Sequence, residues 1–241
     1  MLSARNIRKS FGANTVLSDI SLDIAPGSIT CVVGPSGTGK TTLLRALALL
    51  DLPDSGEVVV DDAAYTFPLP PKAELKAPWP KLTAVFQSLF LWPHLTLREN
   101  ILLPARNCNP KAEKDLIGLI AVFDMAGFID NYPNEASVGQ RQRAALVRAL
   151  ILNPRYILLD EITSALDVEQ TARILTKLGH LKARGIGVFL ITHHIGFARE
   201  AADQVVFMEG GLIVEKGPAS ILSHPQTERL QRFLSMSALV G

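Results

Sequence analysis

Gly34-Pro-Ser-Gly-Thr-Gly-Lys-Thr41 is the stretch on which the fold of this chain turns. It fits G-x-x-x-x-G-K-[ST], and its flanks supply the context that pattern requires. Before it, Ile29-Thr-Cys-Val-Val33 reads as a buried strand; after it, Thr41–Leu50 has helical composition and stops at Asp51-Leu-Pro-Asp-Ser-Gly56. Glycines at 34, 37 and 39 let the backbone curl so that successive N–H groups point inward at phosphate oxygens. Pro35, Ser36, Thr38 and Thr42 complete the cradle, and the helix that follows adds the positive end of its dipole. Lys40 would reach the β- and γ-phosphates, and the Thr41 hydroxyl would hold Mg²⁺. The plain alternative, a glycine-rich turn opening a helix, explains neither the lysine nor the threonine.

Working outward, short β-rich runs alternate with helical patterns, which predicts an α/β fold with a mainly parallel sheet. Strands are expected at Glu57–Asp61, Lys81–Phe86, Tyr156–Leu159, Gly187–Ile191 and Gln204–Met208. Glu209-Gly-Gly211 should make a hairpin turn into Leu212–Glu215. Helices are expected at Lys111–Met125, Gly139–Leu152 and Val168–Ala183, with two short ones within 218–235. The segment from Pro68 to Pro80 is too proline-rich for regular structure.

Composition narrows the class. The 241 residues are 48% hydrophobic and 20% charged, enough to bury a real core and ordinary for a globular protein. A formal charge of +1 gives no sign of a nucleic-acid partner. Cys31 and Cys108 make no disulfide framework, and Cys31 reads as a small core residue in a reducing compartment. Neither a secretion signal nor an apolar run long enough to span a bilayer is visible, so a cytosolic chain is expected.

Tyr156-Ile-Leu-Leu-Asp-Glu161 puts two acids at the carboxyl edge of a buried strand, where parallel sheets bind ligands. Asp160 can orient Mg²⁺, and Glu161 can polarise an attacking water. On its own such a pair is an ordinary strand terminus. Downstream of a phosphate loop it reads as the second half of a nucleotide site.

At this point the chain resembles the ATP-binding cassette (ABC) ATPases over nearly its whole length. Phe11-Gly12 with Val16-Leu17 is similar to the loop whose aromatic ring stacks on adenine. Gln87 in Ala84-Val-Phe-Gln87 is similar to the Q-loop glutamine that approaches Mg²⁺ and the attacking water. Ser164-Ala-Leu-Asp167 resembles the D-loop, and His193 falls on the switch histidine that senses the γ-phosphate. Taken singly, Phe11 reads equally as a surface aromatic, Gln87 as a strand-end polar group, Asp167 as a helix N-cap and His193 as a structural histidine. Their order along one chain unites them.

Glu135-Ala-Ser-Val-Gly-Gln-Arg-Gln-Arg143 then resembles the ABC signature, usually L-S-G-G-Q, preceded by Tyr132-Pro133 as in the family. The resemblance implies that Ser137, Val138, Gly139 and Gln140 bind the γ-phosphate held by a second subunit's phosphate loop. Two chains would then sandwich two ATPs head to tail about a twofold axis. Val138 stands where the family has glycine. If that position needs φ > 0, valine is strained by roughly 1–3 kcal/mol; if its backbone is ordinary, valine only narrows the approach to phosphate. Ala136 for leucine, Ile162 for proline and His194 for aspartate are milder departures.

The implied architecture is a P-loop NTPase (RecA-like) core with an antiparallel β subdomain and an inserted α-helical subdomain at roughly 88–152, all one nucleotide-binding domain over 1–241. The implied function is ATP hydrolysis coupled to import across the cytoplasmic membrane, with the subunit peripheral on its inner face. Permease subunits would dock on Leu89, Phe90, Leu91 and Trp92, aromatic and aliphatic anchors of the kind that dominate such contacts. By analogy with polar amino-acid importers, an extracytoplasmic solute-binding protein would complete the system. An export or lipoprotein-release cassette, and a weakly active regulatory one, stay open as alternatives.

Overall fold

The computed structural model describes residues 1–72, 74–162 and 168–240. The elements run β1 (Leu2–Phe11), β2 (Asn14–Ile24), β3 (Ile29–Val33), α1 (Lys40–Leu47), β4 (Ser55–Val60), β5 (Ala63–Phe67) and β6 (Leu82–Val85). Three helices follow, α2 (Leu97–Leu102), α3 (Ala112–Val122) and α4 (Val138–Leu150). The chain closes with β7 (Tyr156–Asp160), α5 (Val168–Ala183), β8 (Gly187–Ile191), α6 (Ile195–Ala201), β9 (Gln204–Glu209), β10 (Leu212–Pro218) and α7 (Glu228–Val240).

Two sheets form. The first is antiparallel, in the order β2-β1-β4-β5. The second has six strands in the order β10-β9-β3-β8-β7-β6, parallel except for the β9–β10 hairpin. Every residue of β3, β7 and β8 is buried, as expected of parallel strands covered on both faces. Alternation divides their side chains between two cores. Cys31 and Val33 face the helical side, with Ile101, Leu116 and Leu146. Val32 faces α1 and the antiparallel sheet, with Leu43, Ile20 and Val58.

The expected strands at 187–191 and 204–208, and the turn at Gly210-Gly211 with φ of 56° and 76°, are present. β1, β2, β5, α2 and α6 are additions to the sequence reading. Of the two short helices expected within 218–235, the first is a 3-10 turn at Ala219–Leu222. No described helix is long and apolar enough to cross a membrane.

A buried polar contact ties the two sheets together. The Tyr156 ring is fully buried, and its hydroxyl donates to Asp61 Oδ1 at 2.6 Å in the turn after β4. Burial, then the neighbouring Asp61 carboxylate, pushes the hydroxyl pKa up to about 12. Asp61→Ala leaves that buried donor unpaired. It should cost about 2 kcal/mol and lower the melting midpoint by roughly 4–8 °C, with ATP affinity unchanged. A melting curve superimposable on the parent's would show that water replaces the carboxylate without penalty.

Candidate functional site

The site grows from adjacent strand ends of the parallel sheet. β3 ends at Val33 and the chain curls through Gly34–Gly39 into α1. Lys40 is buried with its ammonium folded back, Nζ donating to the carbonyls of Gly34 at 2.9 Å and Pro35 at 2.7 Å. The Thr38 hydroxyl donates to the same Pro35 carbonyl at 2.9 Å. Burial lowers the Lys40 pKa from its ordinary value, with Glu161 and Asp160 opposing the shift. Gly39 caps α1 in the left-handed region at φ 92°, and a Cβ there would lie 2.7 Å from the Val16 carbonyl. The glycine is what lets the loop pack directly on Val16.

β7 delivers the acids. The Thr41 hydroxyl donates to Asp160 Oδ1 at 3.3 Å, and burial raises the pKa of that carboxyl. Glu161 takes a positive φ of 51°, its N–H donating to the Ile191 carbonyl at the end of β8 at 3.0 Å. β8 in turn leads through Thr192 to His193, whose Nε2 lies 2.7 Å from Glu161 Oε2. Glu161 lines a cavity of about 220 Å³ together with Val16, Ser36, Gly37, Lys40 and Thr41. The structure therefore gathers the loop, Val16, Asp160, Glu161 and His193 at one edge, the place where parallel sheets bind ligands.

Other expected residues stand apart from that cavity. Gln87 is exposed, two residues beyond β6 at the same sheet edge. Phe11 ends β1 at 53% exposure, with Lys9 Nζ 5.4 Å from its ring centroid. Asp167 and the rest of Ser164–Asp167 lie outside the described residues. Ser137 is the N-cap of α4 in a reciprocal capping box, its Oγ accepting from Gln140 N at 3.3 Å and its N–H donating to Gln140 Oε1 at 2.8 Å. Val138 and Gly139 follow as the first helical residues, their N–H groups among those a helix start leaves unpaired. Val138 has no positive φ, so the strained alternative is excluded, and its side chain is 42% exposed.

Hard-oxygen chemistry fits Mg²⁺ beside Thr41. Asp160 is a buried carboxylate facing a hydroxyl, and no group of three His, Cys, Asp or Glu side chains forms a metal cage among the described residues. Magnesium bound to a nucleotide takes one or two protein oxygens and completes its shell with phosphates and water.

A second cavity, about 330 Å³, opens between Trp79, Phe86, Trp92, Pro104, Arg148 and Leu152. Of the anchors expected from the sequence, Phe90 and Trp92 are exposed, while Leu89 and Leu91 pack against the helical core.

With this geometry established, the sequence profile of the ABC transporter family matches residues 17–164. The chain belongs to that family. This ABC cassette is 40% identical to the L-cystine import ATP-binding protein TcyC of Bacillus subtilis, over 98% of both chains. It is 38% identical to the glutamine transport ATP-binding protein GlnQ of Escherichia coli, over 97% of this chain and 98% of that one. A dimeric bacterial ABC transporter cassette superposes with a TM-score of 0.79 at 28% identity, covering 91% of this chain and 99% of the other. The same cassette in a post-hydrolysis state with ADP and Pi superposes at 0.78. The cassette is an ATP-binding protein and an ATPase.

Sequence reasoning passed over residues that hold these pieces in place. Arg141 Nη1 donates to the carbonyls of Pro133 at 3.1 Å and Ala136 at 2.9 Å, fixing the turn that presents Ser137. Asn100, fully buried, bonds the backbone of Trp92, Leu95 and Thr96. The signal for the second was legible: Thr96-Leu-Arg-Glu99 is a capping box that opens α2.

Proposed function

We propose that this cassette is the ATP-hydrolysing subunit of an importer of polar amino acids, peripheral on the inner face of the cytoplasmic membrane. The observation that carries the reading is near full-length similarity, at 38–40% identity, to cassettes named for cystine, arginine and glutamine transport. Its partners are integral permease subunits, a second copy packed head to tail, and an extracytoplasmic solute-binding protein. The whole chain acts as one nucleotide-binding unit, with 88–152 as its helical part.

Each residue of the site has its share of the chemistry. Phe11 and Val16 receive the adenosine end, and the N–H groups from Gly34 to Thr42 take the phosphates. Lys40 leaves its own Gly34 and Pro35 carbonyls for β- and γ-phosphate oxygens, a charged exchange that offsets its burial. Thr41, Asp160 and Gln87 would hold Mg²⁺, which when bound would neutralise charge on the phosphates. Glu161 accepts the proton of the attacking water, and His193 fixes that carboxylate from the other side. Ser137 to Gln140 of the second copy close over the γ-phosphate, and Asp167 serves the same interface.

The permease docks at the aromatic cavity, anchored by Trp92 in its lining and by the exposed Phe90, whose ring meets Phe86 of that lining. Purifying the cassette with its membrane partners and measuring ATP-driven amino-acid uptake in vesicles tests the assignment. Uptake of no amino acid, with ATP turnover intact, would overturn it.

Val138 tunes the rate. Because its backbone is ordinary helix, glycine there relieves no strain and only clears the isopropyl group from the approach to phosphate. Val138→Gly should raise turnover about threefold, under 1 kcal/mol of barrier. The same change costs the helix up to about 1 kcal/mol. An unchanged or lower rate would show that the valine does not obstruct the site.

A further inference from the structure

Arg148 lies three helical turns beyond Ser137 on α4, and it reaches out of that helix to the loop carrying Gln87. Its Nη1 donates to the Phe90 carbonyl at 2.7 Å and its Nη2 to the Leu89 carbonyl at 2.6 Å. The guanidinium carbon also stands 5.5 Å from the centroid of the Trp92 ring. None of the described ion pairs includes Arg148, so its charge is directed at two backbone carbonyls and an aromatic face. The planar guanidinium gives each of the two carbonyls its own nitrogen in a fixed fork, whereas a lysine would offer one rotatable ammonium with no such fixed geometry.

The loop depends on this grip. Phe90 sits at φ 48°, a backbone region that bulky residues rarely adopt, and its side chain is 68% exposed. Its ring meets Phe86 edge-on at 6.2 Å. On the far side, Asn100 of α2 holds Trp92 through N–H to Oδ1 at 2.7 Å and Nδ2–H to the carbonyl at 3.1 Å. Leu89–Trp92 is thus suspended from α4 and α2, while Gln87 lies two residues beyond the end of β6.

We propose that Arg148 is a positioning residue that makes the Gln87 loop move with α4. One rigid helix would then link the aromatic docking cavity to the Ser137–Gln140 turn. About eleven residues at 1.5 Å each, some 16 Å, separate the two attachment points along the axis. The inference rests on the proposed function for its biological consequence, since a docked permease would be what moves the loop. The mechanical link belongs to the cassette alone.

The test has two arms. In the isolated cassette, hydrogen exchange at amides 88–92 is followed with and without ATP. ATP should slow exchange there by at least about threefold in the parent and leave it unchanged in Arg148→Lys, with ATP affinity in both within about twofold. In the complete transporter in nanodiscs, the probe is a mixture of polar amino acids with the binding protein encoded alongside. Arg148→Lys and Arg148→Met should each lower the amino-acid-stimulated increment of ATPase at least about fivefold, with basal turnover within about twofold. The proposal is overturned if ATP protects 88–92 equally in parent and Arg148→Lys. It is also overturned if ATP affinity, basal turnover and stimulation fall together, which is the signature of a merely structural residue. A parent transporter that amino acids fail to stimulate counts against the importer reading, and the exchange arm still decides the role of Arg148.

Discussion

Glu161→Gln is expected to lower ATP turnover by about 10²–10³-fold while leaving nucleotide affinity within a few-fold of the parent. The amide keeps the size of the side chain and can still accept from His193 Nε2, so the 2.7 Å contact and the fold should survive. What it loses is the negative oxygen that draws a proton from water. The position is otherwise over-determined: a left-handed φ of 51°, an N–H anchored on Ile191, and a neighbour, Asp160, already engaged by Thr41. A non-glycine residue held in that region at a strand end costs about 1–3 kcal/mol, and such strain gathers where side-chain direction matters. Single-turnover hydrolysis and equilibrium ATP titration separate the two effects. A variant that retains more than a tenth of the parent rate would remove Glu161 from the role of base, leaving His193 and the phosphate itself as the remaining acceptors.

How far the sequence could anticipate this arrangement depended on whether local pattern survived folding. β3, β7, β8 and β9 were legible because strands buried on both faces read as short, unbroken apolar runs. β1 and β2 were not, and the reason is geometric. Their pairing slips between Ala4 and Ile7 and again near Lys9, with Asn6 and Asp19 at positive φ. Each bulge inserts a residue, so the buried Leu17 and Ile20 fall three apart and the alternation that identifies a strand is broken. β5 is an edge strand with one buried residue, too little apolar signal to stand out. Within the site, the loop, the two acids and His193 could be named from their types and order. That Glu161 touches His193 could not, because it depends on β7 and β8 being neighbours in the sheet. Arg148 was invisible for the same reason: its partners are backbone carbonyls, which carry no sequence signature.

The second large effect is expected at Gly34. Its φ is 149°, and a Cβ there would lie 2.1 Å from the Met208 carbonyl oxygen and 3.1 Å from the carbonyl carbon. That obstacle is backbone of β9, held in register with β3 through Val33 and Phe207, and the Met208 side chain is fully buried. Neither side can yield without opening the β3–β9 pair. Gly34→Ala should therefore cost about 3 kcal/mol or more, from overpacking and backbone strain together. The carbonyl of Gly34 also accepts from Lys40, so displacing it moves the ammonium that the phosphates need. ATP affinity should fall by about 10²-fold or more, equivalent to about 2.7 kcal/mol. Gly37 supplies the contrast: its φ is 78°, and a Cβ added there would meet nothing within 4 Å. Gly37→Ala should carry backbone strain alone, about 1 kcal/mol, and melt within a few degrees of the parent. Thermal melts and ATP titrations on the two variants read the difference directly. Near-parental affinity in a folded Gly34→Ala protein would mean that the close approach of the loop to β9 is not what shapes the phosphate cradle.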